Sequence, residues 1–292
     1  MLDKIIFGDN QFFGINHMSE EKAQALSEKF YHLSAITELI EVAHDCGIRA
    51  LMLNSNERAK EICDYLRKNL PRYADLHIYP SIPYPHKYAN SVAQKGLFNT
   101  LIEVIFSDST PKNIASILIN GGLSYLKKDG EKVMRLLVDS EMKIYQGLSV
   151  KCIFLQNILT DLLLGFGIKD IFISFVTYIR ERYSCEAGFL TMNMPQLAHF
   201  LLDCGVENPI ICSSINKIGY LMNPNRESYE KLLTRDELKF RPVAMSVFAS
   251  GAIKPKEAID YVCGRNKIKS LVFGASRREH IEETIKIIES YF

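Results

Sequence analysis

The residues best placed for chemistry stand just after a series of short apolar runs. Asp9, Asn10 and Gln11 follow KIIFG, Asn54 and Asn56 end or follow IRALMLN, and Tyr84, His86 and Lys87 follow LHIYPSI. Gln156 and Asn157 close VKCIFLQ, Asn193 follows GFLTM, and Asn216 and Lys217 follow PIICSS. Amides dominate this set, and an amide both donates and accepts hydrogen bonds, which suits a ligand rich in hydroxyls or carbonyls. Any one of these asparagines can equally be a turn residue, since Asn tolerates left-handed backbone. Taken together, Asn10, Gln11, Asn54, His86, Gln156, Asn157 and Asn216 are expected to line a substrate. The titratable members, Asp9, His17, Tyr84 and Lys87, are the candidates for acid–base work, and a desolvated Lys87 for a Schiff base. Each has a plainer reading: PYPHKY as a polar loop, His17 as a cap for the helix near Ser19. No metal-ligand spacing is evident, and the seven scattered cysteines form no CxxC pair.

The final run carries a different signal. In FGASRREH, Gly274 lets backbone approach a ligand closely, and Ser276 is expected to cap a helix. Free N–H groups and the dipole at a helix start attract an anion, and Arg277 and Arg278 can add a charged fork. FASGAIKPKEA, with Ser250 and Gly251, offers a second small-residue turn that opens a helix near Pro255. The ordinary alternative is a capped helix with two solvated arginines; the paired loops favour phosphate.

These positions need elements to hold them. The apolar runs span 4–8, 48–54, 76–82, 150–156, 188–192, 209–214, 241–248 and 269–274, and helical patterns lie between them. In SAITELIEVAHDCG, Ile36, Leu39, Ile40 and Ala43 share one face, with Ser34 expected at the N-cap and Gly47 past the C-terminus. NPIICSS and KSLVFG are nearly continuous apolar runs, as parallel strands buried on both faces require. Eight such strands alternating with helices predict a (β/α)8 TIM barrel occupying residues 1–292 as one domain, with a doubly wound open sheet as the alternative. The stretch 85–149 after the third strand reads as a helical insertion or extended crossover. In such barrels the loops after strands seven and eight commonly hold phosphate.

Composition bounds the rest. A net charge of +1 provides no field for nucleic acid or anionic lipid. CIFLQNILTDLLLGFGI is too interrupted by polar residues for a membrane span, and no signal peptide is read at the start. Cysteines in apolar contexts suggest small core residues in a reducing cytoplasm. The expected partner is a small, phosphorylated ligand.

At these motifs the chain resembles the aldo-keto reductases. FGASRREHIEET is similar to that family's strand, Gly-Ala/Thr-Ser turn and His-Ile/Leu-x-Glu-Asn helix start, with Thr284 where Asn is usual. SVFASG, Ser246 to Gly251, resembles Ser-Pro-Leu-Ala-x-Gly with Val247 for Pro. GFLTMNMPQL keeps the family's Asn at Asn193 and its Gln-Leu at Gln196–Leu197, and HDCGIRALMLN resembles the helix and strand before the catalytic Asp. The resemblance covers roughly 1–70 and 185–290. It implies NADP as cofactor: Ser276 with Arg277 or Arg278 on the adenosine phosphate, Ser246 to Gly251 along the pyrophosphate, Asn193 beside the nicotinamide carboxamide. It does not extend to the catalytic tetrad. The family's Asp falls at Leu53 or Asn54, its Lys near Ser81, its His near Gln156, and no Tyr lies in 55–60. Ordinary ketone reduction is therefore not expected. A non-redox lyase, aldolase or isomerase acting on a phosphorylated or sugar substrate, and a catalytically silent binding barrel, stand as alternatives.

Overall fold

The computed structural model describes residues 1–16, 18–84 and 122–291. Its strands are β1 Ile5–Phe7, β2 Ala50–Asn54, β3 His77–Ile82, β4 Ser149–Val150, β5 Cys152–Leu155, β6 Glu186–Thr191, β7 Ile210–Ser214, β8 Arg241–Met245 and β9 Ser270–Phe273. The described helices are α1 Glu20–Lys29, α2 Leu33–Asp45, α3 Glu57–Lys68, α4 Gly122–Met142, α5 Asn157–Gly165, α6 Lys169–Tyr183, α7 Met194–Asp203, α8 Arg226–Leu233, α9 Pro255–Cys263 and α10 Arg278–Glu289. Every strand pairing is parallel; β1 lies between β2 and β9, and β2 also pairs β3, which closes the ring. Both β4 and β5 pair β3 and are two pieces of one strand, broken at Lys151, so the ring has eight positions. The fold is a closed (β/α)8 barrel, and the open sheet is excluded by the β2–β3 pairing.

Closure explains the apolar runs. Alternate residues face inward and outward along each strand, and both directions are buried. Ile6, Met52, Tyr79, Phe154, Leu190, Cys212, Val243 and Val272 fill the barrel interior. Phe7, Leu51, Ile78, Ile153, Phe189, Ile211, Ala244 and Leu271 pack outward beneath the helices. Cys152 and Cys212 act as small interior residues, and Cys63 does the same in the outer core. Gly188 has no side chain because the Phe154 ring occupies its space: a Cβ there would stand 2.5 Å from that ring.

The N-terminal end of the barrel is sealed by paired charges. Asp3 accepts hydrogen bonds from its neighbours on two strands: Tyr79 Oη at 2.5 Å, with Lys151 Nζ at 3.1 Å and His77 Nδ1 at 3.1 Å. Arg241 makes a two-pronged pair with Glu186 across β6 and β8, at 2.8 and 3.0 Å.

Helix α2 departs slightly from the sequence expectation. His32, not Ser34, holds the N-cap position, and no side chain caps it. Arg58 grips the carbonyls of Phe30 and Tyr31, which sets the chain's entry so that the helix starts earlier. Gly47 adopts φ +93° and donates to His44 O at 3.0 Å, the expected C-terminal role. Within 85–149, α4 is the long described helix, and residues 85–121 lie outside the described residues. No described helix is long and apolar enough to cross a membrane.

Candidate active site

The C-terminal ends of the strands surround a polar mouth. The pleat settles the register that the sequence left open: Ala50 and Met52 face inward, so Asn54 does too, while Leu53 packs outward. Asn54 stands opposite Ser81 in the β2–β3 ladder. Gln156, directly after β5, donates from Nε2 to Asn54 Oδ1 at 2.9 Å. Asn54, Ser81 and Gln156 are thus neighbours around one side of the mouth.

Asp9 completes this cluster. It follows β1 and turns over the barrel end, where it is buried. Its carboxylate accepts the Asn54 backbone N–H at 2.6 Å and the Asn54 amide at 3.0 Å on each oxygen. Hydrogen bonds to a carboxylate favour its charged form, and burial disfavours it. Burial is the larger influence, and the carboxyl is pushed up to about 6. Burial also raises the nearby Tyr84 phenol, and the Asp9 charge adds to that shift. Tyr84 is anchored by its backbone N–H, which donates to Ser55 Oγ at 3.0 Å.

Two hydroxyls in this region are buried without a hydrogen-bond partner among the described residues: Ser81 Oγ and Ser214 Oγ. Ser214 ends β7 in register with the inward Cys212, so it faces the mouth. Met192 and Met245 follow the inward Leu190 and Val243, which gives the opposite wall an apolar character. A polar half from β1, β2, β3 and β5 therefore faces two thioethers.

The other predicted site residues are only partly among those described. His17, His86 and Lys87 lie outside the described residues. Asn10 is exposed on the turn after β1. Gln11 is buried, donates to Gly8 O at 2.6 Å, and reaches Gly274; a Cβ on Gly274 would meet Gln11 Oε1 at 2.2 Å. The close approach expected at Gly274 is thus made by a protein side chain. Asn157 opens α5, its N–H held by Gln156 Oε1 at 3.0 Å. Asn193 caps α7, accepting from Gln196 N at 3.2 Å and donating to Gln196 Oε1 at 2.9 Å. Asn216 is fully buried and ties two loops together, holding Tyr220 N and Tyr220 O at 2.8 Å each.

The loops after β8 and β9 sit together at the barrel edge. Ser246, Ala249, Ser250 and Gly251 all have positive φ, 52°, 46°, 56° and 89°. Three of these are not glycine, and such backbone persists only where the surroundings hold it. The N-cap of α10 is Arg277 rather than Ser276, and no side chain caps it. Ser276 is occupied differently: its carbonyl accepts from Lys29 Nζ at 2.6 Å. Arg278 leans on Glu282 at 3.3 Å, and Arg277 is exposed.

The helix expected near Ser19 is α1, capped by Ser19, and its place beside these loops was not foreseen. It packs against Gly14, whose φ of +64° and lack of a Cβ leave room for Ala23 O and Ser27. From this seat Lys29 reaches the β9 loop, and Lys22 Nζ lies 4.0 Å from where a Gly251 Cβ would stand, on the β8 loop. The two lysines are seven residues apart, two turns along one helix face, so α1 bridges both loops. That spacing was visible in the sequence; where the helix lands was not. Among the described residues, no group of three or more His, Cys, Asp or Glu converges as a metal site would need.

No family model matches this sequence, and no curated protein matches it. Solved structures do. A Pseudomonas aeruginosa protein classed by inference as an aldo-keto reductase superposes with a TM-score of 0.60 at 10% identity, covering 99% of this chain and 91% of its own. An aldo-keto reductase enzyme from a Medee basin deep-sea metagenome library gives 0.53 at 13% identity, covering 100% and 92%. A protein classed by inference as a 2,5-diketo-D-gluconic acid reductase B gives 0.56 at 10% identity, covering 98% and 82%.

Proposed function

This chain has the aldo-keto reductase fold, and from that premise we propose a divergent barrel of that type, binding a phosphate-bearing ligand across the β8 and β9 loops. NADP(H) is the first ligand to test. The observation that carries this reading is the gathering of positive charge there: Lys22 and Lys29 from α1, with Arg277 at the uncapped start of α10. Cations and free helix-start N–H groups suit a diphosphate. The left-handed loop Ser246–Gly251 would lie along it, with Arg277 or Arg278 and Ser276 near a further phosphate. A bound nicotinamide nucleotide would supply hydride chemistry. The side chains at the mouth differ from those of an ordinary ketone reductase, because Asn54, Ser81 and Gln156 replace its Asp, Lys and His.

Fluorescence titration with NADPH tests the reading. Saturable binding is expected at micromolar to submillimolar cofactor, weakened about tenfold or more in a Lys22→Ala/Lys29→Ala/Arg277→Ala variant. Absence of binding at millimolar NADPH would remove the nucleotide reading. Inorganic phosphate as competitor then distinguishes a plain phosphate site from none.

A second reading is favoured by the mouth itself. Its amides and free hydroxyls suit a non-redox lyase, aldolase or isomerase with a sugar-like substrate.

A further inference from the structure

The mouth combines three features that together point to a ligand. The first is a buried carboxylate, Asp9, whose described supports are the two donors of one asparagine. The second is a pair of buried hydroxyls, Ser81 on β3 in the polar half and Ser214 on β7 in the facing wall, with 2% and 0% exposure and no hydrogen-bond partner among the described residues. A buried hydroxyl left unpaired carries its desolvation cost uncompensated, so two at one barrel end call for an explanation. The third is the fixed orientation of the cluster: Gln156 holds the Asn54 side chain, and Asn54 holds Asp9. At the barrel's other end, among the described residues, Asp3 and Glu186 each meet an opposite charge.

We propose that this mouth abstracts a proton from the carbon beside the carbonyl of a small α-hydroxy ketone or aldehyde, with Asp9 as the base. In the step, Asp9 Oδ takes the α-hydrogen as a proton. The C–H electron pair becomes a C=C bond, and the carbonyl π pair moves onto oxygen as an enolate. The Ser81 and Ser214 hydroxyls donate to that oxygen and to the neighbouring hydroxyl. Return of the proton from Asp9 to the same carbon restores the starting carbonyl compound; return to the former carbonyl carbon, with the neighbouring hydroxyl's proton passing to the enolate oxygen, gives the isomer, so no oxidant or reductant is consumed. Met192 and Met245 offer the apolar wall against which the carbon chain rests.

The charge balance supports this role. A base works best when its affinity for protons matches the working pH, and a carboxyl at about 6 is far more basic than an exposed one. The titratable groups that face it among the described residues are the phenols of Tyr84 and Tyr145, both raised by burial and by the Asp9 charge. Preorganised donors aimed at a developing oxyanion contribute about a hundredfold or more each in rate. Asn54 is a positioning residue, acting through Asp9. The proposal deepens the non-redox reading and uses neither the nucleotide nor the loops assigned to it.

The experiment is solvent exchange, run on the full chain without cofactor. Dihydroxyacetone and dihydroxyacetone phosphate are incubated in D2O, and loss of the α-proton signal is followed by NMR. Exchange is expected well above the protein-free rate, falling at least a hundredfold in Asp9→Asn and about tenfold or more in Ser81→Ala and Ser214→Ala. Faster exchange of the phosphate ester would place its phosphate at the β8 and β9 loops; equal rates would confine recognition to the mouth. Asn54→Ala keeps the base and the backbone N–H but removes the side-chain amide donor, so the pH midpoint of exchange should move upward, a change that loss of packing alone would not produce. Exchange no faster than without protein overturns the proposal. So does an Asp9→Asn variant, folded by circular dichroism, that exchanges as fast as the native chain. Should Asp9→Asn fail to fold, an unmoved pH midpoint in Asn54→Ala overturns it equally. NADPH titration is independent of both readouts, so failure here leaves the nucleotide reading standing.

Discussion

The two ends of this barrel are built from opposite principles. At the N-terminal end, Asp3 is met by Tyr79, His77 and Lys151, and Glu186 by both prongs of Arg241. Each charge there has an opposite one beside it. At the C-terminal end, Asp9 is buried with amide donors, while Ser81 and Ser214 keep open hydroxyls. The first end satisfies its polar groups internally, and the second leaves them for something else. A barrel needs one sealed end to be stable and can spend stability at the other, where the loops gather.

The sharpest way to break this contrast is Asp9→Asn. The Asp9 carboxyl rises from 3.8 to about 6 on folding. Two units at 1.36 kcal/mol each make ionised Asp9 a burden of about 3 kcal/mol on the folded state above pH 6. The sign follows from proton binding: between those values the folded chain holds more protons than the unfolded one, so this group's contribution falls as pH rises. Asp9→Asn is therefore expected to raise the midpoint of urea unfolding at pH 8, by about 2–3 kcal/mol in stability, with the gain gone at pH 4. A variant that is less stable at pH 8 would mean that Asp9 belongs to the frame.

Gly188→Ala tests the shared interior between the ends. The new methyl would stand 2.5 Å from the Phe154 ring, which is itself wedged among Tyr79 and the other interior residues. Overpacking of this kind costs about 1–3 kcal/mol. The loss should appear in thermal melting and be the same at pH 5 and pH 8, unlike any change at either end.

Tyr79→Phe is expected to be smaller, about 1–2 kcal/mol, because it removes the phenol's bond to the Asp3 carboxylate and the one it accepts from the Asp3 N–H, while the carboxylate keeps Lys151 and His77. Urea unfolding measures it, and exchange or binding at the mouth should be unaffected.

The sequence made this architecture legible because parallel barrel strands are buried on both faces, and so KSLVFG and PIICSS read as strands with little ambiguity. It also located the ring of polar residues, since a strand's end is marked by the change from apolar to polar. What it could not show was direction. Whether Leu53 or Asn54 faced the mouth depends on the pleat, which the β2–β3 register fixes. Asn193 and Asn216 looked like ligand contacts, yet their amides cap α7 and brace Tyr220. Gly274 read as an opening toward a ligand, but Gln11 from the other end of the chain fills that space. Ser276 gave way to Arg277 as the cap of α10. The lysines of α1 reach their loops from over two hundred residues away in sequence, so local pattern carries no trace of that meeting.

The weakest and most discriminating prediction concerns Arg241→Met. The Arg241–Glu186 pair is only partly covered, so its removal should cost roughly 0.5–1 kcal/mol at pH 7, near the upper range for such pairs because both prongs are engaged. Its pH dependence matters more than its size. Arg241 holds the Glu186 carboxyl below the usual carboxylate range. The folded chain then binds fewer protons than the unfolded one as pH falls, so the stability from this pair is present at neutral pH and lost in acid. That slope is opposite to the one at Asp9. Native stability measured from pH 3 to 8 should accordingly rise on the acid side and fall again through about 6. In Arg241→Met the acid rise should lose the part due to Glu186 while the fall remains; in Asp9→Asn the fall should shrink to the part that Asp161 contributes while the rise remains. If one substitution alters both limbs, the two ends are coupled through the barrel interior and cannot be treated as separate designs.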